Sequence, residues 1–252
     1  MAEREAPPDS FGRTAREYEL GRPEWPEELL DRVIADLGLG SQAAVLDLGA
    51  GTGKLTRLLV HRFERVVAVE PDDAMRAVLE EVVPGAESKA GSAEAIPLSD
   101  AEADAAISGE AFHWFASPET IDELARVLRP GGGLAIFWNI FLESDPPLDD
   151  EAEAVLDEAF ARGGAPGLPR VLSGQWREPL AESPFGELRE DELVREVVTN
   201  RERWIANMLS VSSIANQAEE DRAALAARLR ELVPEGEMRR RYRTVAYWTR
   251  LG

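Results

Sequence analysis

Three glycines at alternate positions, Gly49, Gly51 and Gly53, follow the apolar run VLDL and precede helix-forming residues. Glycine reaches φ > 0 without penalty and lets a ligand lie against the main chain itself. A phosphate-cradling P-loop needs G-x-x-x-x-G-K-[ST]; here Leu48 stands where its first glycine belongs, and Leu55 follows Lys54. The GK pair is therefore coincidental. A dinucleotide fingerprint needs G-x-G-x-x-G, and counted from Gly49 the last glycine falls on Lys54. Glu70 closes the next apolar run, VVAVE, roughly twenty residues on, where a carboxylate accepts from both hydroxyls of an adenosine ribose. Such charge-assisted hydrogen bonds contribute about 1.5–3 kcal/mol each. The ligand reads as a nucleoside; the alternative is a solvated carboxylate at a strand end.

These residues need strands and helices to hold them. PEWPEELLDRVIADLGLG opens at Pro26 and Glu27, puts Leu29, Leu30, Val33, Ile34 and Leu37 on one helical face, and ends at Gly38 and Gly40. AAVLDLG is a buried strand feeding the helix KLTRLLVHRF. VVAVE is a second strand, closed by Pro71, and DDAMRAVLEEV a helix with Asp72 as N-cap. SKAGSAEAIPL carries a short strand and a loop, ADAAIS a strand, SPETIDELARVL a helix capped by Ser117, and GGLAIFWN a strand after the turn RPGGG. Strands alternating with helices imply a doubly wound α/β unit with a parallel sheet. Beyond about Ile140 the pattern changes to helical segments among Pro/Gly-rich loops, with DELVREVVT and MRRRYRTVAYWTRL as strands added antiparallel at the sheet edge. The helices between them would cover the carboxyl edge of the sheet as a lid.

Composition narrows the chemistry. At 252 residues, 44% hydrophobic, the chain suits one large globular domain. A net charge of −20 repels a phosphate backbone, which argues against a nucleic-acid substrate. The absence of cysteine excludes thiol nucleophiles and thiolate metal sites, and two histidines, His61 and His113, make a histidine zinc site improbable. MAEREAPPDSFGR has no apolar signal core and no apolar run is long enough to span a bilayer, so a soluble cytoplasmic protein with no membrane partner is expected. Lys54 and Lys89 are the only lysines, and with abundant alanine they hint at a GC-rich bacterial genome.

VLDLGAGTGKLT, VVAVEPDDAMR, GSAEAIPLSDAEADAAISGEAFHWF and LARVLRPGGGLAIFWN, in order from about Phe11 to Asn139, resemble the successive motifs of class I S-adenosylmethionine-dependent methyltransferases. The match is with the small-molecule branch that includes trans-aconitate-type enzymes. The resemblance implies a doubly wound, seven-stranded mixed sheet of the Rossmann-like methyltransferase kind, a single domain over 1–252. Its cofactor-binding core would be 1–139, and 140–252 the lid helices and the last two antiparallel strands. S-adenosylmethionine is the implied cofactor. Asp47 would orient the loop and the methionine end, with Gly49, Ala50 and Gly51 against methionine and ribose. Glu70 would hold the ribose diol, Pro71 and Met75 would pack near the adenine, Ala93 would offer its N–H to the ring, and Glu94 would lie near the exocyclic amine. Glu110 and Ala111 would line the methionine end, although the family often has a neutral residue where Glu110 stands. REYELGRPEWP resembles the Y-x-x-x-RP segment that closes over the cofactor, making Tyr18 and Arg22 candidate gate residues; the alternative is a leader that merely packs.

Methyl transfer from a sulfonium is an in-line displacement in which an anionic nucleophile and the cation lose charge together, so a dry pocket helps. Alignment alone supplies about 7–11 kcal/mol. The expected acceptor is a small organic molecule, methylated at a carboxylate or hydroxyl oxygen. His113 in AFHWF is placed to take a proton from a hydroxyl or to hydrogen-bond a carboxylate, and equally to be a structural histidine. Trp114, Trp138 and Asn139 would wall the acceptor pocket, with Trp204, Met208 and Ser212 or Ser213 from the lid; Trp114 and Trp204 also suit core packing. RRRYR, Arg239 to Arg243, reads mainly as an edge strand protected by charge, with attraction of an anionic substrate as the lesser reading. His61 should be solvated. A nicotinamide-dependent oxidoreductase and a non-catalytic S-adenosylmethionine-binding protein are the alternatives.

Overall fold

A computed structural model of the chain describes residues 14–163 and 167–252, with side chains in the second stretch described from residue 170. The N-terminal leader through Arg13 and the middle of the GGAPG segment lie outside the described residues.

Helix α1, Ala15–Gly21, precedes α2, Glu27–Asp36. Leu29, Leu30, Val33 and Leu37 are buried, as the helical spacing predicts, and Gly38 ends the helix in the left-handed region at φ 60°. The core then alternates β1 (Ala44–Leu48), α3 (Thr56–Leu59), β2 (Arg65–Val69), α4 (Asp73–Val82), β3 (Glu87–Lys89), β4 (Ala103–Gly109), α5 (Phe112–Phe115), α6 (Pro118–Val127) and β5 (Leu128–Asp145). Asp72 caps α4 by accepting from Ala74 and Met75 N–H, and Ser117 caps α6 through Thr120 N–H. β1 is buried along its whole length because it is the inner strand, flanked by β2 and β4 in parallel register.

The second half supplies α7 (Asp150–Arg162), α8 (Gly167–Ser173), a 3₁₀ turn at Gln175–Arg177, α9 (Glu178–Ala181), β6 (Arg189–Asn200), α10 (Arg201–Leu209), α11 (Ser212–Ala215), α12 (Glu219–Leu232) and β7 (Glu237–Arg250). One seven-stranded sheet results, in the order β3-β2-β1-β4-β5-β7-β6. β7 runs antiparallel to β5, and β6 antiparallel to β7. Apolar clusters fill both faces of the sheet, and a third joins α7, α10, α12 and Met238 in the lid.

Four expectations are corrected. The helix KLTRLLVHRF shrinks to Thr56–Leu59, then tightens into a turn in which both Arg62 and Phe63 N–H reach Leu59 O. The turn RPGGG lies inside β5: Arg129 to Gly132 bulge out between the Leu128–Ala103 and Gly133–Ala105 pairs, with Gly131 at φ 78°. β5 also runs past Asn139 to Asp145, because β7 pairs with it through Arg239. Finally, RRRYR is no edge strand, since β7 lies between β5 and β6. Its outward arginines are balanced as expected, Arg239 by Glu196 and Glu237 and Arg241 by Glu143.

Candidate functional site

The carboxyl ends of β1, β2, β4 and β5 open into a cavity of about 950 Å³, roofed by α1 and by residues of α7, α8 and α10. Its size is that of a cofactor together with a small acceptor.

The loop after β1 forms its floor. Gly49, Gly51 and Gly53 all have positive φ, 72°, 57° and 87°, but each excludes a side chain for a different reason. A Cβ on Gly49 would lie 2.7 Å from the Ala111 Cβ and 3.2 Å from Phe115, and one on Gly53 2.9 Å from Val83. Gly51 alone faces open space in the cavity. The closest approach of a ligand to bare backbone is therefore at Gly51, and its neighbours are glycine for packing.

Asp47, at the end of β1, is 1% exposed. Thr56 Oγ1 donates to its Oδ2 at 2.6 Å, whereas Oδ1 is buried with no hydrogen-bond partner. Burial pushes this carboxyl up to about 7, against the pull of Thr56. Glu70 stands at the end of β2, 8% exposed. Its Oε2 accepts from Gly51 N–H at 2.8 Å and its Oε1 from Asp72 N–H at 3.0 Å, so one side chain ties the two carboxyl-end loops together. Desolvation holds it above the usual carboxylate range.

Glu110 adopts φ 59°, a left-handed conformation rare outside glycine, and its Oε1 accepts from Asn139 N–H at 2.7 Å. Desolvation raises its pKa and the Arg22 charge opposes the rise. Arg22 crosses the Tyr18 ring at 5.1 Å and donates to Ser210 Oγ at 3.0 Å and Ser210 O at 3.2 Å. Helix α1 is thereby tied to the lid. Tyr18 has its phenol pushed up to about 12 by desolvation.

Beyond Glu110, His113 meets Trp138. The indole Nε1–H donates to His113 Nδ1 at 3.1 Å, and desolvation with the charges of Arg170 and Arg22 drives the imidazole down to about 3. The ring is neutral, its Nδ1 is taken, and the proton sits on Nε2. His113 is arranged to donate a hydrogen bond, which suits the carboxylate-binding or structural reading of it and not the proton-accepting one. Trp138 is 1% exposed and packs on Trp176 at 4.7 Å, so it is wall and core at once. Trp114 lies under the Arg170 guanidinium at 4.9 Å. Trp204 is also 1% exposed, with its Nε1 lacking a partner. Asn139 accepts from Thr244 Oγ1 at 2.6 Å through its side chain.

Tyr18, Arg22, Asp47, Gly49, Ala50, Gly51, Glu70, Pro71, Met75, Glu110, Ala111, His113, Trp114, Trp138, Asn139 and Trp204 all line this one cavity. Ala93 and Glu94 do not: Ala93 is buried in the core against β2, and Glu94 is exposed. His61 is exposed, as expected. Sequence reasoning set Lys54 aside as part of a coincidental GK pair and gave Arg240, within RRRYR, an anion-attracting role only as the lesser reading. Lys54 is buried at the loop, its Nζ 2.6 Å from Glu24 Oε1. Arg240 was betrayed by parity: on β7 it shares the inward face with Met238, Tyr242 and Thr244, while Arg239, Arg241 and Arg243 alternate away.

The geometry has its counterpart among known proteins. The methyltransferase domain family matches residues 46–136. An uncharacterized methyltransferase of Mycobacterium tuberculosis is 46% identical over 162 residues, 64% of this chain and 63% of that one. The chain thus matches less than two thirds of the length of the mycobacterial relative. An uncharacterized methyltransferase of Schizosaccharomyces pombe is 31% identical over 228 residues, covering 88% of each chain. A solved structure from Anaeromyxobacter dehalogenans, described as a type II methyltransferase, superposes with a TM-score of 0.64 at 28% identity, covering 91% of this chain and 98% of the other. The chain belongs to the class I S-adenosylmethionine-dependent methyltransferase family. Among the described residues no helix is long and apolar enough to cross a membrane.

Proposed function

We propose that this chain, acting as one domain, transfers a methyl group from S-adenosylmethionine to an oxygen of a small organic acceptor, a carboxylate or hydroxyl, in the branch resembling trans-aconitate-type enzymes. The observation that carries the reading is the unpartnered, buried Oδ1 of Asp47 at the edge of the cavity, beside the open face of Gly51. A carboxylate left so lacks a hydrogen-bond donor, and the ammonium of the methionine portion can supply one. Glu70 has lone pairs to spare for a ribose diol, and Tyr18 and Arg22 stand over the same end. When bound, the cofactor supplies an electrophilic methyl group.

What the residues do follows from their surroundings. The aromatic walls Trp114, Phe115 and Trp138 exclude water, and neutral His113 donates to an acceptor oxygen and orients it without taking its proton. Such a site suits an acceptor already ionised, which favours a carboxylate over a hydroxyl. A Methylococcus capsulatus relative, 39% identical over 134 residues, is named malonyl-[acyl-carrier protein] O-methyltransferase, and a malonyl group carries a carboxylate. The net charge of −20 favours a small molecule over nucleic acid as acceptor. The test is transfer of labelled methyl from S-adenosylmethionine to pooled carboxylic acids and phenols. Base-labile label, released as methanol, is the expected product; binding of the cofactor with no transfer to any pool would make the chain a binding protein.

A further inference from the structure

Arg240 is 4% exposed, stands in the apolar row of β7, and makes no hydrogen bond or ion pair among the described residues. Its Nε and Nη1 are buried without acceptors, and the guanidinium lies 4.0 Å over Phe141 and 5.7 Å from the Trp204 ring. Trp204 Nε1 is a third buried donor without an acceptor, and Ser144 Oγ, on the residue paired with Arg240 across β5, is a fourth polar atom without a partner. All three residues line the cavity. A buried charge is ordinarily paired, and four unmet polar atoms in one place call for a ligand. Desolvation lowers the Arg240 pKa, as expected of an unpaired cation.

The position says which ligand. Arg240 lies four residues along β7 from Thr244, the partner of Asn139, or about 13 Å at roughly 3.3 Å per residue. Arg240 thus stands away from the Asn139 end of the cavity, where Trp138 holds His113 and where the proposed reading puts the oxygen being methylated. Phe141, Leu156, Phe160 and Met208 give the same cavity an apolar lining. Glu143 and Glu153 also line the cavity, so one negative charge is accommodated more readily than a doubly charged phosphate.

We propose that Arg240, with Trp204 Nε1 and Ser144, anchors a distal carboxylate of the methyl acceptor, so that the acceptor is an elongated apolar acid methylated at its other end. The proposal rests on the methyltransferase reading above, but the anion site can be tested without turnover. Octanoate and the straight-chain diacids adipate, suberate and sebacate are titrated calorimetrically into the full chain, alone and saturated with S-adenosylhomocysteine. At least one diacid should bind tenfold or more tighter than octanoate, and Arg240→Met should abolish that preference while leaving S-adenosylhomocysteine affinity unchanged. Because the charge is unpaired, Arg240→Met should keep or raise Tm; a fall of several degrees would mark a structural cation–π staple and overturn the proposal. So would a preference retained in Arg240→Met, or no saturable diacid binding to the parent chain. Failure of S-adenosylhomocysteine to bind the parent chain would instead contradict the methyltransferase reading.

Discussion

The indole N–H of Trp138 is spent on His113 Nδ1 at 3.1 Å. A tryptophan N–H can only donate, so this bond dictates the imidazole tautomer and leaves Nε2–H facing outward from the pair. The histidine becomes a fixed donor in the wall, and of the roles open to it from the sequence that of a base is the one this bond disfavours.

By nitrogen-15 NMR, His113 should therefore show a neutral ring protonated at Nε2, with no titration between about pH 5 and 8, since its pKa lies near 3. Trp138→Phe should release Nδ1, so that the Nδ1–H tautomer appears beside the Nε2–H one, while burial and the Arg170 and Arg22 charges keep the ring neutral. A midpoint near 6.5 in the parent chain would contradict the arrangement.

Asp47 gives a prediction in stability against pH. Its folded-state pKa is raised from 3.8 to about 7, so protonation stabilises the fold fully below the unfolded value and that contribution is lost as pH rises through about 7. Asp47→Asn, which keeps the neutral form at every pH, should gain on the order of 2–4 kcal/mol at pH 8. The gain should fade on acidification and vanish near pH 4. Denaturant melts of both proteins across this range measure it, and a gain independent of pH would rule out the buried acid as its source.

The glycines separate by what a methyl group would meet. Gly51→Ala points into open space at φ 57°, so it should cost roughly 1–2 kcal/mol in backbone strain while sharply weakening cofactor binding. Gly49→Ala strikes Ala111 and Phe115 and should cost several kcal/mol, on the order of 2–5. Equal losses of stability in the two variants would argue against the distinction.

The difference between these glycines also shows where the sequence was legible. The alternation of strand, loop and helix through Asn139 is local, carried by caps such as Asp72 and Ser117 and by apolar spacing in α2, and it could be read directly. The reasons behind Gly49 and Gly53 could not, because Ala111 and Val83 reach them only through the tertiary fold. His113 could be read as a base, a carboxylate partner or a structural residue alike, until Trp138, from β5, took its Nδ1. Arg240 was hidden by its neighbours: a run of arginines reads as surface, and only the pairing of β7 between β5 and β6 assigns its parity to the cavity.

Glu70 holds Gly51 and Asp72 N–H, and on the proposed reading it also receives the ribose. Glu70→Ala should weaken S-adenosylhomocysteine tenfold or more, at least about 1.4 kcal/mol, and also lower Tm. Glu70→Gln retains one of the two acceptors, so it should keep part of the stability while losing affinity. If Gln binds as tightly as Glu, the carboxylate charge has no part in binding.

The central claim, that the bare Gly51 floor between Asp47 and Glu70 receives the nucleoside of S-adenosylmethionine, is tested most directly by calorimetric titration of the purified chain. S-adenosylmethionine and S-adenosylhomocysteine should bind saturably at one site per chain, and NAD should not. Saturable binding of NAD with no response to the other two would contradict the account.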